Sequence, residues 1–108
     1  MTTYRVRVVQ EAEEDLAEII EFVANNDSVE SADYVLEKLL SICQRLEQHP
    51  MRGHFLPELR SPGIKSYREV HFKPYRIIYE VIGRDVFIQM VVDGRRSLQT
   101  VLERRLLR

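Results

Sequence analysis

Two alternating runs, Tyr75-Arg76-Ile77-Ile78-Tyr79-Glu80-Val81 and Val86-Phe87-Ile88-Gln89-Met90-Val91-Val92, flank the four residues Ile82-Gly83-Arg84-Asp85. A two-residue loop with glycine first suits a type II′ turn, whose twist matches that of the strands it joins. Folding the runs back about Gly83-Arg84 places Tyr75, Ile77, Tyr79 and Val81 on one face with Val86, Ile88, Met90 and Val92. All eight are apolar or aromatic, and a slip of one residue would scatter them over both faces. An antiparallel hairpin with one face turned to a core is therefore expected. Its other face would carry Arg76, Ile78, Glu80, Phe87, Gln89 and Val91.

The rest of the chain changes period twice around that hairpin. Tyr4-Arg5-Val6-Arg7-Val8-Val9 alternates apolar and basic residues, the signature of a half-buried strand. Ala12, Leu16, Ile19, Ile20 and Val23 then recur at helical spacing. Acids crowd the first turn of that helix, where negative charge suits the dipole. Asn25-Asn26-Asp27-Ser28 interrupts the stripe, with Asp27 or Ser28 as the N-cap of a second helix. That helix, bearing Ala32, Val35, Leu36, Leu39, Ile42, Cys43 and Leu46, runs to about Gln48. A short break between two amphipathic helices implies an antiparallel helix hairpin. Met51 to Tyr67 shows no sustained period and reads as an ordered loop or a poorly formed third element.

Arg68 to Phe72 forms a further strand turned at Lys73-Pro74, with Val70 and Phe72 inward. Ser97 would cap a last short helix with Leu98, Val101, Leu102 and Leu106 inward and Arg104, Arg105 and Arg108 outward. The expected fold is α+β: an N-terminal strand, an antiparallel helix hairpin, a three-strand antiparallel meander and a short C-terminal helix. Residues 1–108 form one domain in this reading, with the helices on one face of the sheet. The uncovered face would hold Arg5, Arg7, Glu69, His71, Arg76, Glu80 and Gln89.

Charge is segregated along this framework. From Gln10 to Pro50 eleven acids face only Lys38 and Arg45, whereas from Met51 onward twelve basic residues oppose six acids. A basic half of this kind suits a polyanionic or acidic partner. The apolar runs fall far short of a membrane span, and the N-terminus lacks the apolar stretch of a secretory signal. One cysteine, Cys43, excludes an internal disulfide, so a cytoplasmic setting without membrane attachment is expected. Cys43 and the tyrosines Tyr75 and Tyr79 read as core residues. His49, His54 and His71 have no i, i+4 partner, so neither a metal site nor a cofactor is expected.

Phe72-Lys73-Pro74-Tyr75-Arg76-Ile77-Ile78-Tyr79-Glu80, followed by Asp93-Gly94-Arg95-Arg96, resembles the RelE/ParE superfamily of bacterial type II toxins. The first segment is similar to the family's tyrosine-arginine strand and the second to its glycine-arginine segment. Arg76 matches the family's strand arginine and Arg95 or Arg96 the later one, so Arg76, Arg95 and Arg96 are the residues the resemblance implies for target binding. The superfamily divides into RelE-like endoribonucleases, which cut mRNA on the ribosome, and ParE-like poisons of DNA gyrase. No tyrosine occurs after Tyr79, where RelE-like members often use a C-terminal one, and the Gly-Arg-Arg-Ser-Leu ending looks ParE-like.

The resemblance thus implies a growth-inhibiting toxin that binds gyrase. It would be neutralised by a cognate antitoxin, ParD-like or another small DNA-binding protein. Arg104, Arg105 and Arg108 are the residues expected to attract that antitoxin's acidic amphipathic tail.

The alternative is a nuclease. His71 and Arg76 would be cross-strand neighbours, with Glu69 and Glu80 on the same face. A histidine, a carboxylate and an arginine could supply the base, acid and phosphate-binding cation of RNA cleavage.

Overall fold

The computed structural model describes residues 3–61 and 63–107. Strand β1 (Arg5–Val8) leads into helices α1 (Gln10–Asn26) and α2 (Val29–Arg45). A two-residue strand β2 (His54–Phe55) and a 3-10 turn at Pro57–Leu59 follow. The meander β3 (Tyr67–Phe72), β4 (Tyr75–Ile82) and β5 (Asp85–Asp93) comes next, and α3 (Gln99–Leu106) closes the order. The five strands lie in the order β1-β5-β4-β3-β2, with β1 parallel to β5 and the other pairs antiparallel.

Local chemistry accounts for most boundaries. The Ser28 hydroxyl accepts from the Ser31 amide at 3.0 Å, so of the two expected candidates it is Ser28, not Asp27, that caps α2. Ile82 pairs with Asp85 across a loop in which Gly83 has φ +62°, and among the described residues none other than glycine takes a positive φ. One positive φ at the first loop position is the type II′ requirement, whereas type I′ would need two. At α3 the N-cap position falls to Leu98 without a side-chain cap, so Ser97 does not play the part expected of it.

The helix hairpin covers one sheet face, as its stripe requires. Leu16, Leu39, Cys43 and Leu46 meet Ile77, Tyr79, Val86, Ile88 and Val91 there. The hairpin of β4 and β5 departs from strict alternation at one place. The pairing runs Ile78↔Met90 and then Tyr79↔Ile88, so Gln89 is an extra residue on β5. This β-bulge turns Val91 toward the helices and sends Met90 to the opposite face, the reverse of the expected assignment.

The opposite face is not left open either. Leu56 and Leu59, from the segment read as a loop, join Leu98 and Leu102 over Ile78 and Met90. Each fully buried leucine contributes about 1.5–3 kcal/mol relative to exposure. An eight-residue helix is too short to stand alone in water, and this second core is what holds α3.

Candidate functional site

The second face carries a cluster of charged residues beside its apolar patch. On β3 and β4 the register sets His71 opposite Arg76, as the alternation predicts, and Glu69 opposite Ile78. The surprise is burial. Arg76, expected to point into solvent, has a side chain only 12% exposed, and Glu69 is 2% exposed. Arg76 Nε donates to Glu69 Oε1 at 2.6 Å, while Nη1 and Nη2 donate to the two oxygens of Glu58 at 2.6 and 2.8 Å. The guanidinium is thereby held by two carboxylates, with Glu58 taken in the forked geometry that suits arginine best. Its hydrogen bonds to Glu58 hold that carboxyl below the usual range and push Arg76 itself up.

Glu58 had no periodic signal. It comes from the 3-10 turn, and the available hint was Leu56 and Leu59 at i, i+3, which eclipse in a 3-10 turn and anchor it on the sheet. Glu80 shares the face but lies four residues along β4 from Arg76, about 13 Å away at strand spacing. It stands opposite Tyr67, and burial raises its pKa. Hence Glu69, His71 and Arg76 are brought together and Glu80 is not. His71 Nε2 lies 3.1 Å from Glu69 Oε1, and β2 adds His54 directly opposite Glu69.

The Asp93-Gly94-Arg95-Arg96 segment leaves the end of β5 beside this cluster. A Cβ at Gly94 would lie 2.9 Å from both Cγ and Cδ of Arg76 and 3.2 Å from the Pro74 carbonyl oxygen, so glycine lets the backbone cross the arginine stem. Arg95 points outward, 72% exposed, and donates through Nε and Nη2 to Asp93 at 3.0 and 2.6 Å. Those bonds lower the Asp93 carboxyl to about 2. Arg96 is also exposed.

Of the three C-terminal arginines, Arg104 is exposed and Arg108 lies outside the described residues. Arg105, expected outward, is 15% exposed. It donates to both oxygens of Asp15 at 3.1 Å and to the Gln89 carbonyl at 3.1 Å. Asp15 in turn accepts from the Val91 amide at 3.0 Å. A bulge interrupts the backbone ladder, and this ion pair satisfies the groups on either side of it. Arg105 is thus committed to holding β5, α1 and α3 together.

Alongside these residues runs a groove of about 520 Å³, with Ile19 and Phe22 on α1 facing Arg96, Val101 and Arg104. Its floor is the end of β5, where β1 pairs with Asp85–Ile88 and extends no further.

The same α+β arrangement occurs in solved toxin–antitoxin proteins. A chain of the chromosomal ParDE toxin–antitoxin system from P. aeruginosa superposes with a TM-score of 0.71 at 16% identity, over 86% of this chain and 98% of that one. A chain of the toxin–antitoxin complex RelBE2 from Mycobacterium tuberculosis gives 0.64 at 20% identity, over 86% and 93%. The fold is therefore that of the RelE/ParE toxins. Toxin ParE3 of Caulobacter vibrioides is 32% identical over 88 residues, 82% of this chain and 84% of that protein. The family described as ParE toxin of the type II toxin-antitoxin system, parDE, matches residues 6–98, and the chain belongs to it.

Proposed function

We propose that this ParE-family toxin acts by binding its target, DNA gyrase, through Arg95 and Arg96, and that a cognate antitoxin silences it. The observation that carries this reading is the contrast between two sets of arginines. Arg76 is paired with both Glu58 and Glu69, so its charge is already offset beside His71 and is poorly placed to take a phosphate. Arg95, paired with Asp93 in the open, and Arg96 are exposed along the groove. Exposed cations at a rim favour encounter with a charged partner.

The antitoxin would lay an acidic amphipathic segment into the groove between α1 and α3, its apolar side on Ile19, Phe22 and Val101 and its acids toward Arg96 and Arg104. Such a segment would fold as it binds. The gyrase reading extends the family assignment to a target. The antitoxin reading is supported by the toxin–antitoxin systems in which the similar structures occur.

Induced expression of the chain alone should arrest growth, and Arg95→Ala with Arg96→Ala should relieve the arrest. Purified protein should trap cleaved DNA with gyrase and leave mRNA intact on translating ribosomes. Codon-specific mRNA cuts that vanish in His71→Ala would replace this reading by the RelE-like endoribonuclease.

A further inference from the structure

Glu69 and His71 share a face of one strand, and the sheet brings His54 to them from another. The β2–β3 register puts His54 directly across from Glu69, and His71 follows Glu69 on the same face of β3. One ligand atom from each lies within 4.8 Å of the others. His71 Nε2 is 3.1 Å from Glu69 Oε1, and His54 Nδ1 is 3.7 Å from Glu69 Oε2. A tetrahedral ion with bonds of about 2.0–2.1 Å separates its ligand atoms by about 3.3 Å. The 3.1 and 3.7 Å separations run to different oxygens of Glu69, so an ion on Oε2 needs the exposed imidazoles of His54 and His71 to rotate toward that oxygen.

We propose that these three side chains form a divalent transition-metal site, with Zn²⁺ its best-fitting ion. Two imidazoles and a carboxylate are the donors that late first-row metals take, whereas Mg²⁺ and Ca²⁺ prefer all-oxygen shells. Arg76 supplies the supporting shell. Its Nε fixes Glu69 through Oε1 and is itself held by the Glu58 fork, leaving Glu69 Oε2 turned toward His54. Charge points the same way. Glu58 and Glu69 face one guanidinium, so the group retains a formal negative charge when the imidazoles are neutral, and a cation in front of Glu69 offsets it. Both imidazoles are exposed, which gives the ion a way in and leaves its remaining positions to water.

This proposal is independent of the gyrase reading and needs no toxic activity for its test. The untagged full chain, stripped with chelator, is titrated with Zn²⁺ by calorimetry and with Co²⁺ by visible absorption. One Zn²⁺ per chain and Co²⁺ d–d bands are expected. His54→Ala and His71→Ala, both at exposed positions, should each weaken Zn²⁺ at least tenfold and abolish the Co²⁺ bands. His49→Ala, away from the cluster, should change neither. Absence of saturable one-to-one binding, or unchanged binding in either His54→Ala or His71→Ala, would overturn the site.

Discussion

Arg76 Nε lies 2.6 Å from Oε1 of Glu69, a carboxylate 2% exposed in the middle of a β-sheet face. That contact makes Arg76 part of the protein's interior. Replacing one member of a buried ion pair leaves the other charge without compensation, at about 3–5 kcal/mol. Arg76→Ala should therefore lower stability by about that amount, because Glu58 also loses both its bonds. Urea unfolding followed by circular dichroism measures it. A loss below about 1 kcal/mol would mean that the cluster relaxes into water.

Gly94 and Arg76 form a second dependence. An alanine methyl at position 94 would press on the arginine stem at 2.9 Å and on the Pro74 carbonyl at 3.2 Å. The Gly94 amide also bonds that carbonyl at 2.7 Å, so the backbone has little freedom to retreat. Gly94→Ala should cost about 1–3 kcal/mol, the usual range for overpacking. Thermal melts of the two proteins make the comparison, and an unchanged melting temperature would show that the stem moves aside.

Asp15 joins α1 to the β5 bulge. Asp15→Ala strands the Val91 amide and removes both Asp15 bonds from Arg105. An unsatisfied buried group costs about 1–3 kcal/mol. Loss of hydrogen-exchange protection should be largest at Val91, and uniform loss along β5 would argue that the bulge needs no such support.

Cys43 supplies a test by pH and by reactivity. Burial raises its thiol from 9.0 to about 11. A folded-state pKa above the unfolded one contributes stability that is complete below about pH 9 and lost as pH rises through 11. The thiol should resist an aromatic disulfide reagent at pH 8 in the native protein and react at once in denaturant. Prompt reaction of the folded protein would place Cys43 at the surface.

Alternation and helical spacing are enough to read the α+β order, the α1–α2 hairpin, a cap at Asp27 or Ser28, the Gly83 turn and the pairing of His71 with Arg76. Each of these depends on residues a few positions apart, or on a register pinned by its own turn. Periodicity reports which way a side chain points from its own element; it is silent on what covers that side. Glu58 and His54 reach the cluster from a segment with no period, carried there by Leu56 and Leu59 as they seal the second core. The bulge at Gln89 reverses the faces of Met90 and Val91, and the Asp15–Arg105 pair, 90 residues apart in the chain, satisfies the backbone beside it. Arg76 and Arg105 are read from sequence as solvent-facing cations. Their partners stand 7, 18 and 90 residues away, and it is packing between elements that encloses them.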